Sequence, residues 1–182
     1  MQETSKKVIK DVFEKGDCFY RTGDLIKRDS KGYLYFVDRI GDTFRWKGEN
    51  VSTNEVMEAL TAFQGLHEAN VYGVSIPGKD GRAGMAAVVM DDNIDLAKLG
   101  EFIAKALPQY AVPLFLRKLS AETAATQFAT GTFKYQKVAL RSEGFDPNLV
   151  KDPVFMFDQA TKTYVPFGPA QHEAVISGKA KL

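Results

Sequence analysis

Three short polar segments flanked by glycine hold the side chains best suited to chemistry: Tyr20-Arg21-Thr22-Gly23-Asp24, Asp38 to Gly48, and Thr130-Gly131-Thr132-Phe133-Lys134. A carboxylate such as Asp24 offers two acceptor oxygens to two O–H donors. A fixed ammonium such as Lys134 can stabilise charge that develops on oxygen during a reaction. Taken singly, each of these residues also has an ordinary reading. A loop lysine is usually a solvated charge, and an arginine after a strand, such as Arg39, usually lies on the surface. Gly48 would end a strand in a turn, and Trp46, as the single tryptophan, would be core.

No nucleotide-binding loop of the G-x-x-x-x-G-K-[ST] or G-x-G-x-x-G type occurs, and no Ser/His/Asp set is recognisable by spacing. The lone Cys18 excludes a disulfide framework and a cysteine-based zinc site within the chain; His67 and His172 lie far from it, so no metal site is expected. Across 182 residues, 24 Lys+Arg against 23 Asp+Glu leave a formal charge of +1, which supplies no electrostatic argument for nucleic acid or an anionic membrane. No apolar run approaches the ~20 residues that cross a bilayer. The opening Met1-Gln2-Glu3-Thr4-Ser5-Lys6-Lys7 lacks the apolar stretch of a secretory signal.

The elements that must position these loops follow from periodicity. Leu25–Arg28 and Tyr33–Val37 flank the turn-forming Asp29-Ser30-Lys31-Gly32 and predict a hairpin. Phe44-Arg45-Trp46-Lys47 alternates as a short strand ending at Gly48. Ser52-Thr53-Asn54-Glu55 is a capping box, and Val56, Leu60 and Phe63 line one face of the helix it opens. Val71–Ile76, Met85–Met90 and Leu114–Leu119 read as strands. Between the second and third of these, Asp95–Leu107 reads as an amphipathic helix stopped by Pro108. Ser120–Ala129 is expected to be a surface loop, Gly131–Lys134 a glycine turn leading into a short helix, and the chain after Asp146-Pro147 irregular. Strands and helices alternating from residue 44 to about 140 argue a small two-layer α+β domain.

Together the three loops carry a resemblance. Tyr20-Arg21-Thr22-Gly23-Asp24 resembles the Y-x-T-G-D motif of the adenylate-forming enzymes, which include the acyl-CoA synthetases. Asp38-Arg39-Ile40-Gly41-Asp42 resembles the family's hinge motif. Leu107-Pro108-Gln109-Tyr110-Ala111-Val112-Pro113 resembles its L-P-x-Y-x-x-P motif, and Thr130–Lys134 its closing lysine motif. Gly41–Val51, Ala69–Val74, Gly81–Ala86 and Thr130–Lys134, with Asp152-Pro153-Val154-Phe155 and Tyr164-Val165-Pro166 in the tail, resemble the very-long-chain acyl-CoA synthetase and fatty acid transport protein group. The stretch from Arg117 to Thr130 is a few residues longer than that pattern.

The resemblance implies an α+β C-terminal domain of an adenylate-forming enzyme, preceded by a β-hairpin fragment of the large N-terminal domain. Residues 1–38 would be the edge of that large ATP-binding domain, 39–145 the small domain and 146–182 a family-type tail. The phosphate loop and most of the acyl pocket would lie outside this sequence, so the chain alone is expected to be inactive. The implied activity is ATP-dependent ligation of a long-chain or very-long-chain fatty acid to CoA, through acyl-AMP. ATP and CoA are the implied cofactors, with Mg²⁺ expected but no ligands for it in this chain. Asp24 would accept the ribose hydroxyls, Arg39 would lie near ribose and phosphate, and Lys134 would act in adenylation. Arg45, Trp46 and Gly48 would belong to the loop that lines the pantetheine channel after the small domain rotates about a hinge at Gly41 or Asp42.

Two other readings stand beside this one: a non-catalytic α+β fragment or regulatory module, and a CoA ligase for another carboxylic acid. The expected small-molecule partners are fatty acid, ATP and CoA, with no nucleic acid and with any membrane association made through segments outside this sequence. Ala180-Lys181-Leu182 resembles a peroxisomal tripeptide, and the group resemblance also allows the endoplasmic reticulum membrane.

Overall fold

The computed structural model describes residues 7–40, 43–120, 122–124, 133–180 and 182, with the side chains of Arg39 and of residues 133–136 left out. The chain divides into two compact units, Met1–Gly41 and Asp42–Leu182.

The first unit is built from hairpins. Strand β1 (Val8–Lys10) pairs antiparallel with β2 (Cys18–Tyr20), and β3 (Asp24–Arg28) with β4 (Leu34–Arg39). Asp17 closes the first turn by accepting the backbone N–H groups of Val12, Phe13 and Glu14. Burial pushes its carboxyl up, but those N–H donors together outweigh it and hold the group below the usual carboxylate range. Asp29 does similar work in the predicted β3–β4 hairpin by taking the N–H groups of Lys31 and Tyr33.

The second unit is a mixed five-stranded sheet with helices, an α+β domain. It opens with the small hairpin β5 (Phe44–Trp46) and β6 (Glu49–Val51). Helix α1 (Thr53–Thr61) follows, with Ser52 as N-cap accepting the Glu55 N–H as its sequence predicts. Strands β7 (Leu66–Val74) and β8 (Ala83–Met90) pair antiparallel. Helix α2 (Leu96–Ala106) carries the chain to β9 (Phe115–Lys118), which lies parallel to β8. A parallel neighbour requires such a crossover. Helix α3 (Phe133–Glu143) precedes the hairpin β10 (Val154–Asp158) and β11 (Thr163–Phe167), and helix α4 (Pro169–Ile176) follows. The sheet order is β11-β10-β9-β8-β7.

The core explains the continuous apolar run in β8. Ala83, Met85, Ala86, Ala87 and Val88 are fully buried, so the strand is covered on both faces and needs no polar alternation. Leu60, Leu99, Ile103 and Leu140 bring α1, α2 and α3 into the same core.

The tail corrects the sequence expectation. Residues after Asp146 were expected to be irregular because proline punctuates them, yet β10 and β11 extend the main sheet. Pro153 precedes β10, and Pro166 sits in β11, the edge strand, where a missing N–H leaves no ladder partner unsatisfied. Pro169 occupies the first turn of α4, a position that tolerates it. Within the expected Ser120–Ala129 surface loop, residues 122–124 are helical and Ala124 is buried; residues 121 and 125–129 lie outside the described residues.

Candidate functional site

Asp24 and Arg39, 15 positions apart in sequence, are direct register partners across β3 and β4. The turn before them explains how Asp24 enters its strand. Gly23 takes φ +80°, and the Asp24 N–H donates to Thr22 Oγ1 at 3.2 Å. The Ile40 N–H donates to the Gly23 carbonyl at 2.8 Å, extending the pairing by one bond. A register shift between Leu25 and Ile26 marks a bulge beside the pair, a device that re-aims a strand's side chains. Asp24 is half-buried, and Asp38, next to Arg39, is 2% exposed.

Arg45, Trp46 and Gly48 sit on the β5–β6 hairpin. Its two-residue turn, Lys47-Gly48, has φ +52° and +85°, the paired positive values of a type I′ turn. The alternation of β5 buries Phe44 and Trp46 and exposes Arg45. Trp46 belongs to the hydrophobic core at 6% exposure. Arg45 Nε donates back to the Gly48 carbonyl at 3.1 Å. A Cβ added at Gly48 would meet nothing within 4 Å, so the turn faces open space. The other edge of β5 is tightly held. The Arg82 N–H donates to the Arg45 carbonyl at 2.6 Å, and a Cβ at Gly81 would fall 2.3 Å from that carbonyl oxygen.

Lys134 lies in the first turn of α3. Thr130, Gly131 and Thr132, the rest of its motif, lie outside the described residues, as do Gly41 and Asp42 of the hinge motif. The far end of α3 is fixed by a group that the sequence reading missed. Arg117 on β9 is 5% exposed; its Nη1 donates to Glu143 at the end of α3, and its Nε and Nη2 reach Asp152 Oδ2 at 2.8 and 2.7 Å. Burial alone would lower the guanidinium's pKa, but the hydrogen bonds and charges of Glu143 and Asp152 outweigh it and raise it above its ordinary value. The signal available in sequence was a single arginine inside the apolar strand Leu114-Phe115-Leu116-Arg117. Midway along α3, Lys137 Nζ donates to Thr53 Oγ1 of α1 at 3.3 Å.

The candidates therefore fall into three groups. Asp24 and Arg39 share one hairpin; Arg45, Trp46 and Gly48 share another; Lys134 opens α3. The implied Mg²⁺ has no ligand set of three or more His, Cys, Asp or Glu among the described residues.

An AMP-binding enzyme C-terminal domain matches residues 55–125, the stretch that runs from α1 through the β7–β8 pair and α2 to β9 and just beyond. Residues 55–125 thus carry the C-terminal domain of the adenylate-forming enzymes. The chain is 49% identical to human long-chain fatty acid transport protein 3 over 97% of its own length and 25% of the relative's. It is 44% identical to isopenicillin N epimerase component 1 of Hapsidospora chrysogena, over 91% of the chain and 29% of that protein. Among solved structures it resembles the o-succinylbenzoate coenzyme A synthetase of Bacillus subtilis in complex with AMP. That match has 29% identity and a TM-score of 0.51, over 59% of this chain and 21% of the other. The chain spans about a quarter of the length of the curated relatives it matches.

Proposed function

We propose that this chain is the C-terminal part of an ATP-dependent ligase that joins a long-chain or very-long-chain fatty acid to CoA. The observation that carries the proposal is the 49% identity to a long-chain fatty acid transport protein across nearly the whole chain, with all the motif positions in order. In this reading the fatty acid carboxylate attacks the α-phosphate of ATP, forming acyl-AMP and releasing pyrophosphate. The CoA thiol then displaces AMP. Asp24 accepts the ribose hydroxyls and Arg39, its register partner, completes that binding edge. Lys134 stabilises the charge gathering on phosphate and carboxylate oxygens. Arg45 and the open Lys47-Gly48 turn belong to the coenzyme step. Trp46 contributes by holding that hairpin to the core.

Residues 1–38 are then the edge of a larger ATP-binding domain, 39–145 the small domain and 146–182 a tail that completes its sheet. The division between Gly41 and Asp42 supports a hinge there that alternates the two half-reactions. Family resemblance supports a peroxisome or endoplasmic reticulum membrane location; no helix among the described residues is long and apolar enough to cross a membrane.

The test is Lys134→Ala in a protein containing the ATP-binding domain. Fatty-acid-dependent pyrophosphate exchange should fall about 10²–10³-fold, while CoA transfer from supplied acyl-AMP stays nearly intact. Equal loss in both steps would make Lys134 structural and overturn its assignment.

A second reading, a CoA ligase for a different carboxylic acid, is favoured by the 44% identity to a protein named for isopenicillin N rather than for a fatty acid. Turnover across a panel of fatty, aromatic and amino-substituted acids separates the two.

A further inference from the structure

A cavity of about 620 Å³ opens in the second unit between the end of β7, the C-terminal turns of α3 with the loop after it, and α4. Among the described site candidates of this unit, Arg45, Trp46 and Gly48 do not line it. Its volume falls within the range of small-molecule sites.

Its charges are unevenly satisfied. Two acidic groups line it, and both are engaged elsewhere. Glu143 is held by Arg117, and Asp146 accepts the Asn148 N–H and Nδ2, both at 2.9 Å. The cationic side is not engaged in this way. Arg141 on α3 lines the cavity, and its Nε and Nη2 are shut off from solvent with no hydrogen-bond partner. Buried guanidinium donors without acceptors are costly, and an oxyanion bound to them would remove that cost. Arg82, just before β8 and exposed, lines the same cavity, as does His172 of α4, whose ring centroid is 5.6 Å from that of Phe145.

The rim has the opposite character. Val138 of α3 is 63% exposed, Leu149 of the following loop 58% and Ile176 of α4 36%. Three separate elements thus present large apolar side chains to solvent around one opening that has a guanidinium inside it. Scattered surface apolar residues need no explanation, but a convergent set around a cavity marks a binding surface.

We infer that this cavity binds an oxyanion-headed amphiphile, with a carboxylate or phosphate monoester on Arg141 and Arg82 and an apolar chain against Val138, Leu149 and Ile176. A guanidinium accommodates either head as a two-donor fork, and Arg141 presents that fork once its side chain turns the buried Nε and Nη2 toward the opening.

The test is amide-resolved NMR titration of the 182-residue chain with decanoate, decyl phosphate, decanol and inorganic phosphate. Decanoate, decyl phosphate or both should move the Gly73 and Gly144 amides, whichever head is preferred. Decanol and inorganic phosphate should each bind there at least about tenfold more weakly, since each lacks one half of the recognition. Arg141→Gln should weaken the preferred amphiphile about tenfold or more, the worth of one charged hydrogen bond. If that variant loses its folded spectrum, Arg82→Gln on the exposed side carries the same prediction with a smaller fold-change. Unmoved amides at Gly73 and Gly144, equal binding of decanol and decanoate, equal binding of phosphate and decyl phosphate, or a folded Arg141→Gln with unchanged affinity would each overturn the inference.

Discussion

Asp24 and Arg39 stand opposite one another in the register of the β3–β4 hairpin, although they come from two motifs separated by a full strand and turn. The hairpin, rather than proximity in sequence, brings the two positions together. If both serve the same nucleotide, their effects must be coupled. In a protein containing the ATP-binding domain, Asp24→Ala and Arg39→Ala should each raise KM for ATP about 10–100-fold, the worth of charged hydrogen bonds. The double variant should lose less than the product of the two. Strict additivity in steady-state kinetics would mean that the residues act on different ligands.

The elements that were readable in the sequence are those whose signals are local. Ser52 caps α1, Asp95 caps α2 and Leu107 before Pro108 ends it, because the bonds involved join residues within one turn. The β8 run was readable because complete burial needs no partner to be named. Signals that depend on distant partners were not. Strand β6 is a polar triplet, Glu49-Asn50-Val51, whose strand character comes from pairing with β5. Pro166 looks like a breaker until β11 is known to be an edge. Arg117 is one charge in an apolar strand, and its partners Asp152 and Glu143 lie 35 and 26 positions away. For the site, the motifs gave residue types in order. The Asp24–Arg39 register and the open face of the Lys47-Gly48 turn required coordinates.

Two glycines, Gly48 in the β5–β6 turn and Gly81 packed against β5 from the turn before β8, should separate backbone strain from steric conflict. Gly48 has φ +85° with open space around it, so Gly48→Ala should cost about 1–2 kcal/mol from the left-handed conformation alone. Gly81 has φ +82° and would also drive a Cβ into the Arg45 carbonyl oxygen. Gly81→Ala should therefore cost more, about 2–4 kcal/mol, and loosen the Trp46–Gly81 bridge. Urea unfolding of the two variants measures the difference. Similar losses would show that the β5 edge yields easily.

Asp95 gives a pH-dependent contribution of defined sign. Its carboxylate accepts the Ala97 and Lys98 N–H groups at the start of α2, and Lys98 Nζ lies 3.3 Å away. The backbone bond from Lys98 leads the causes that hold its pKa below the ordinary value. A lowered folded pKa means the contribution is present above the unfolded carboxylate range, near pH ~4, and is lost as pH falls through the folded value. Asp95→Asn keeps a capping oxygen but not the charge. It should be less stable than the parent at pH 7 and converge with it in acid. Thermal melts at pH 7 and pH 2.5 test this, and a constant gap would assign the effect to packing.

Arg117 joins three elements through one side chain: β9, the end of α3 and the loop before β10. Removing it leaves Glu143 and Asp152 facing each other's neighbourhood without their cation. Asp152 is 16% exposed and Glu143 38%, so water screens part of the loss. Arg117→Ala should cost about 2–4 kcal/mol, toward the lower part of the range for a broken buried pair. Arg117→Met fills the space but not the charge and should recover only part of this. Arg117→Met combined with Glu143→Gln and Asp152→Asn removes the unpaired carboxylates and should recover more, since neutral groups of similar shape are cheaper to bury than a charge without its partner. The same clamp fixes the helix whose first turn holds Lys134, so under the proposed role of Lys134 its loss should reach the chemistry. In a protein containing the ATP-binding domain, Arg117→Met should lower acyl-AMP formation more than CoA transfer and leave KM for ATP nearly unchanged. That pattern follows if Arg117 positions α3. A stability loss with both half-reactions unaffected would confine Arg117 to holding the sheet.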